Sequence, residues 1–117
     1  MLKKGLRLRK KEDFNRVFRS GKPLFFNEIG CRYVLGKQKA LRVGFSFSKK
    51  HIPRAVERNY LRRIFSHALF QLKDQWVPGV EIVFFTIKKP KKIDMPASVD
   101  ILNTTLKYIT KDKNQSV

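Results

Sequence analysis

Leu41-Arg42-Val43-Gly44-Phe45-Ser46-Phe47-Ser48, then Pro53 with Leu61, Ile64, Phe65, Ala68 and Leu72 at helical spacing, then Val80-Glu81-Ile82-Val83-Phe84-Phe85-Thr86-Ile87: these segments decide the fold of this chain. In the first, apolar Leu41, Val43, Phe45 and Phe47 alternate with Arg42, Gly44, Ser46 and Ser48, the period of two of a strand. Pro53 suits the first turn of a helix, where its missing N–H costs nothing, and the apolar stripe continues to about Lys73. Pro78 and Gly79 end that pattern. Val80 to Ile87 is nearly all apolar and reads as a central strand covered on both faces. Strand, helix and strand in succession suggest a crossover, hence an α/β two-layer sandwich with helices packed on a small sheet.

Upstream, Ile29, Cys31, Tyr33 and Leu35 alternate with Gly30, Arg32 and Val34, a strand expected to pair with residues 41–48 as a hairpin across a polar turn at Gly36 to Ala40. Before it, Phe14, Val17 and Phe18 fall at i, i+3 and i+4 between Lys11 and Ser20, with Glu12 and Asp13 in the first turn. Gly21 and Pro23 stop this short helix, and a further short strand is read around Leu24 to Phe26. Downstream, Val99, Leu102, Leu106 and Ile109 form the stripe of a last helix from Ser98 to about Lys111. The order is αββαβα around a sheet of about four strands: a single domain over residues 1–110, with residues 111–117 expected as a disordered tail.

The 117 residues leave room for one domain, and 42% apolar residues with ten Phe suffice for its core. Against nine Asp and Glu stand 27 Lys and Arg, a net charge of +18 that repels itself in a compact fold unless a polyanion sits beside it. Most of the cations cluster in residues 1–11, 49–63, 88–92 and 107–113, and nucleic acid is the expected partner. The one cysteine, Cys31, allows no internal disulfide, as suits a reducing cytoplasm. No apolar run approaches the roughly 20 residues that span a bilayer, and the basic start lacks the pattern of a secretory signal. A cytoplasmic protein with no membrane partner is expected.

On the long helix Arg58 and Arg62 are four apart, as are Asn59 and Arg63, giving two neighbouring rows turned largely away from the Leu61, Ile64, Ala68 stripe. Guanidinium forks match phosphate oxygens, Asn bonds a phosphate or a base edge, and a helix N-terminus adds partial positive charge. The preceding Ser46, Ser48, Lys49 and Lys50 extend the same surface. An amphipathic helix with an ordinary basic exterior has the same pattern.

The run Arg42-Val43-Gly44-Phe45-Ser46-Phe47-Ser48-Lys49-Lys50, then Ala55-Val56-Glu57-Arg58-Asn59 and Arg62-Arg63-Ile64, resembles the signature of the bacterial ribonuclease P protein subunit. Leu8-Arg9-Lys10-Lys11-Glu12-Asp13-Phe14, with Val17-Phe18 and Gly21, resembles that family's opening. Tyr60 departs from it, standing where the family's Arg-Asn-Arg triplet has its last Arg. The resemblance implies a left-handed βαβ crossover. It also implies a partner RNA that, with Mg2+, removes the 5′ leader of precursor tRNA, while the protein strengthens substrate and metal-ion binding without a cofactor of its own or a protein partner. It implies further that Lys49, Lys50, Arg54, Arg58, Asn59, Arg62 and Arg63 bind the RNA subunit and that Phe14, Phe18 and Tyr33 line a cleft for the leader. Single-stranded RNA is held by such combinations of cations and aromatic faces, although a Phe pair at helical spacing also suits a core.

A protein nuclease needs a general base, an acid or a cluster of metal-binding carboxylates at the phosphate. The acids here are scattered, and neither His51, at the entry of the long helix, nor His67, on its outer side, belongs to a catalytic spacing. Cys31 reads as a partly buried structural thiol. No catalytic residue is assigned to the chain. The alternative is a small basic ribosomal-type structural RNA-binding protein, which composition alone does not separate. Helix-turn-helix DNA binding is disfavoured by the strand that replaces the expected second helix, and a membrane-surface peptide by the need of the apolar stripes for a core.

Overall fold

The computed structural model describes residues 4–36, 40–91 and 93–115. Its elements are helix α1 (Lys11–Ser20), strands β1 (Lys22–Phe26), β2 (Ile29–Leu35) and β3 (Arg42–Ser46), helix α2 (Ala55–Gln71), strand β4 (Val80–Thr86) and helix α3 (Met95–Gln115). The strands form one mixed sheet in the order β1-β2-β4-β3. β4 runs antiparallel to β2 and parallel to β3, so β3, α2 and β4 form the expected crossover unit, with β4 in the interior of the sheet.

The hairpin lies elsewhere than expected. β4 separates β2 from β3, and β2 closes its hairpin with β1, Phe26 opposite Ile29 across Asn27 and Glu28. The reason is that β4 carries apolar side chains on both faces and needs a bonded neighbour along each edge, which two separated strands supply. Asn27 has a φ of 52°, the left-handed backbone that a tight hairpin needs at its first central residue and that Asn tolerates. Residues 37–39 of the polar turn read at Gly36 to Ala40 lie outside the described residues. Pro23 falls inside β1, an edge strand, where a missing N–H is readily tolerated.

Alternation along the strands gives the sheet two faces. On one, Ile29, Cys31 and Tyr33 of β2, Val43 of β3 and Ile82 and Phe84 of β4 share a core with Leu61, Phe65, Ala68 and Leu69 of α2 and Leu102, Leu106 and Ile109 of α3. The Phe65 ring sits 5.5, 5.7 and 6.0 Å from those of Phe84, Phe47 and Phe45. On the other face α1 buries Val17 against Val83 and Leu8, with Phe14, Phe18 and Val34 around them. Beneath α1 the buried Glu81 of β4 accepts from Arg16 of α1 and, at 2.7 Å, from Arg42 of β3, while Asp13 holds Arg16 at 3.0 Å. Glu81, then Asp13, raise the pKa of the Arg16 guanidinium above its ordinary value.

Four helix ends differ from the sequence pattern or explain it. Gly21 ends α1 by the room it leaves: its φ is −79°, and a Cβ there would stand 2.3 Å from the Val17 carbonyl oxygen. α2 begins at Ala55, so Pro53 precedes the helix instead of occupying its first turn, and Arg58 reaches back to donate to the Ile52 and Pro53 carbonyls at 2.8 and 2.9 Å. α3 begins before Ser98, where Asp94 accepts from the Ala97 amide at 3.0 Å, and residues 111–115 of the tail expected to be disordered are its last turn. That end is held by polar bonds, which hydrophobic periodicity does not report. Asp112 accepts from Lys22 Nζ at 2.9 Å and Tyr33 Oη at 2.8 Å, and Lys113 Nζ donates to the Pro78 carbonyl at 3.0 Å. Residues 116–117 lie outside the described residues.

Lys22 and then Tyr33 hold the Asp112 carboxyl below the usual carboxylate range; burial, then the bond to Asp112, holds the Tyr33 phenol above its ordinary value. The stability added by this clamp is present above about pH 4 and lost as pH falls through the depressed Asp112 value. It is also fully present below about pH 10 and lost as pH rises through the elevated Tyr33 value. Hydrogen-exchange protection of the last turn of α3 should therefore drop at both limits, and Asp112→Asn should lower it at neutral pH and abolish the acid limb. Phe65→Ala should cost about 3–5 kcal/mol of unfolding free energy in urea melts.

Candidate nucleic-acid interface

The inward stripe of α2 fixes where its polar rows point. Asn59, Arg63 and His67 lie on the exposed side, while Arg58 and Arg62 are half-buried. Arg62 donates to Asn59 Oδ1 at 2.9 Å, which ties the two rows together and leaves the Asn59 amide N–H groups to face outward partners. Burial, then the nearby Arg58, lowers the pKa of Arg62. Upstream, Lys49 and Lys50 are exposed on the turn after β3, where Ser48 Oγ accepts from the Lys50 amide at 3.0 Å, and Arg54 is exposed at the cap of α2. Chain continuity thus gathers the seven expected RNA-contacting residues around the N-terminal half of one helix. Within the described residues the ion pairs join Arg16, Lys22 and Arg42 to acids, and Lys49, Lys50, Arg54, Arg58, Arg62 and Arg63 make none.

A groove runs beside this helix on the α1 face of the sheet. Phe14 lies over Gly44, where a Cβ would come within 2.6 Å of the ring, and with Arg62, Phe45 and Ser66 it lines a cavity of about 140 Å3. Gly44 is therefore needed for the close approach of α1 to β3. Phe18 sits 5.4 Å from the Phe85 ring. Both expected cleft phenylalanines are half-buried, with part of each ring open.

Tyr33 does not join them. It is 1% exposed in the core under α3, on the opposite face of the sheet, because alternation places it with Ile29 and Cys31. Arg32, one residue earlier, lies on the α1 face and donates to the carbonyls of Phe18 and Gly21 at 3.1 and 3.4 Å. At this step of β2 a guanidinium, rather than a phenol, lies on the α1 face of the sheet. The register also brings Phe25 opposite Gly30 and Gly30 opposite Phe85, a row that leaves Phe25 64% exposed and Ile87, just beyond, 38% exposed. The apolar run over residues 80–87 gave no sign of this opening, since Phe85 and Ile87 look as apolar as their covered neighbours. For Phe25 the signal was its alternation with Leu24 and Phe26, which turns it away from the core face.

Among the described residues no three of His, Cys, Asp and Glu come together in the way that holds a metal ion. His51 lies 3.0 Å from Thr86 Oγ1 and His67 is exposed. Cys31 is fully buried, more than its sequence context indicated, and burial pushes its thiol up to about 12. It should resist iodoacetamide at pH 8 in the native protein and react only at the rate of unfolding; rapid modification would contradict the burial.

The ribonuclease P family model matches residues 2–110. The ribonuclease P protein component of Enterococcus faecalis is 42% identical over 91 residues, covering 76% of this chain and 74% of that protein. That of Listeria welshimeri is 36% identical over 95 residues, covering 80% and 78%. The solved RNase P protein of Thermotoga maritima superposes with a TM-score of 0.76 over 87% of this chain and 96% of that one at 25% identity. The RNase P protein of Staphylococcus aureus does so with 0.76 over 89% and 94% at 23% identity, a likeness of fold. No helix among the described residues is long and apolar enough to cross a membrane. The ribosomal-type alternative is not favoured, and the chain belongs to the ribonuclease P protein family.

Proposed function

We propose that this chain grips RNA for a tRNA-processing ribonucleoprotein and leaves bond cleavage to that RNA. The exposed side of α2 with its N-terminal turn binds the RNA subunit, the groove between α1 and the sheet takes the single-stranded 5′ leader of precursor tRNA, and Mg2+ serves the RNA. The whole acts in the cytoplasm. One observation carries this reading: the cations of α2 make no ion pair among the described residues, and one of them, Arg62, lines the half-open aromatic cavity with Phe14. Phosphates satisfy the first, and unstacked bases satisfy the second.

Within this division Arg63, Asn59, Lys49, Lys50 and Arg54 face the RNA subunit. Arg62 shares its cavity with Phe14 and so links the two surfaces. In the groove the open ring faces of Phe14, Phe18 and Phe25 offer stacking platforms, and the plane of Arg32 offers another. The mature tRNA body, having no leader, does not use them.

Phe14→Ala and Phe25→Ala should each weaken binding of leader-bearing precursor by about 5- to 150-fold, with little effect on mature tRNA, in equilibrium titrations. Equal losses for both RNAs would refute the groove. Arg63→Ala should weaken assembly with the RNA subunit while leaving the melting curve unchanged, since its side chain lies off the core. If about 6 to 10 phosphates are neutralised, wild-type affinity should fall by about 10³ to 10⁵ between 50 and 200 mM monovalent salt. A flat response would contradict phosphate contact.

A further inference from the structure

A second pocket, of about 280 Å3, opens on another side of α2, between that helix and the segment joining β4 to α3. Its apolar floor is Ile52 and Leu61, both 5% exposed, closed by Pro90 and Ile93. Tyr60, the residue that departs from the triplet pattern of the family, lines it while 50% exposed, with Val56 78% exposed one turn earlier. Lys89, Lys91 and His51 stand at its rim, and Glu57 is the single acid lining it.

These features specify one occupant. A shallow apolar slot with an aromatic side chain suits a planar ring, and its volume, at the small end of ligand sites of roughly 300–1,000 Å3, suffices for one ring system. Ammonium groups at the rim call for an anion attached to that ring. The Glu57 carboxylate at the exposed rim accepts hydrogen bonds only, so a ring with an N–H donor finds a partner there that an isolated anion does not. A nucleobase with an exocyclic amino group, still bonded to its phosphate, meets all three demands. Asn59 and Arg63 flank Tyr60 on the exposed side of the same helix, so a strand lying on them passes the mouth of the pocket.

We propose that this pocket receives one unpaired cytosine, adenine or guanine of the RNA subunit, stacked on Tyr60, with its amino group on Glu57 and its phosphate on Lys89 or Lys91. At this position the chain then reads a base where an Arg would hold a phosphate. The inference deepens the proposed RNA-binding function and rests on it.

The test uses the full-length protein and the ribonuclease P RNA from the same genome, with reagents that modify the Watson–Crick edges of unpaired bases. Wild type and Tyr60→Phe should protect one unpaired base, which becomes reactive in the complex with Tyr60→Ala. Tyr60→Ala should bind about 5- to 150-fold more weakly with an unchanged salt slope, because no phosphate contact is lost. Lys89→Ala together with Lys91→Ala should reduce that slope by about 1. The half-exposed position of Tyr60 makes an unchanged circular-dichroism melt the expected control. Tyr60→Ala binding as tightly as wild type, or binding weakly without any newly reactive base, would overturn the pocket assignment and leave the proposed function standing. Failure of wild type to bind the RNA at all would overturn both.

Discussion

Strand β4 must be covered on two faces and bonded along two edges at the same time, because Ile82 and Phe84 point one way and Glu81, Val83 and Phe85 the other. The remaining elements answer those demands. β2 and β3 take its edges, α2 and α3 close the face of Ile82 and Phe84, and α1 closes most of the other. α1 is only ten residues long, so its cover stops at Phe18 and Phe85, and Phe25 and part of Phe85 are left open beyond it. The groove is thus a consequence of covering a two-faced strand with a short helix on one side. Function begins where burial ends.

Charge is divided with the same economy. Glu81 and Asp13 hold Arg16 and Arg42 beneath α1, and Asp112 holds Lys22 and Tyr33 beneath the end of α3, so these acids serve the scaffold. The buried Glu81 is the most demanding of them, since a carboxylate in the interior requires close cations and hydrogen bonds. What remains on α2 is a surface whose repulsion is relieved by a polyanion. The scaffold and the interface therefore draw on separate sets of charges. An exposed cation such as Arg63 can be removed at little cost to the fold.

Much of this was legible in the residues themselves. The period of two in β2 and β3, the stripe Leu61, Ile64, Phe65, Ala68 of α2, the nearly all-apolar β4 and the clustering of Lys and Arg each reported a local physical demand. The β1–β2 hairpin was not legible, because Asn27-Glu28 lacks the Gly of the strongest turn signals and because pairing partners depend on where β4 inserts. The last turn of α3 was missed because Asp112 and Lys113 anchor it through bonds to Lys22, Tyr33 and Pro78, residues far away in sequence. Tyr33 is the instructive case: its alternation with Arg32 assigns it to the core face, and only the family likeness drew it toward the cleft. A one-residue step in a strand exchanges the two faces, and Arg32 is the residue that meets α1.

The most direct test of the division between grip and chemistry is reconstitution. Cleavage of a precursor tRNA is followed at low magnesium with the purified chain alone, with the ribonuclease P RNA alone, and with both. Efficient release of the leader only when both are present, and none from the chain alone, is the result expected from α2 cations that make no ion pair among the described residues and from dispersed acids. Cleavage by the polypeptide without RNA would contradict the account at its centre.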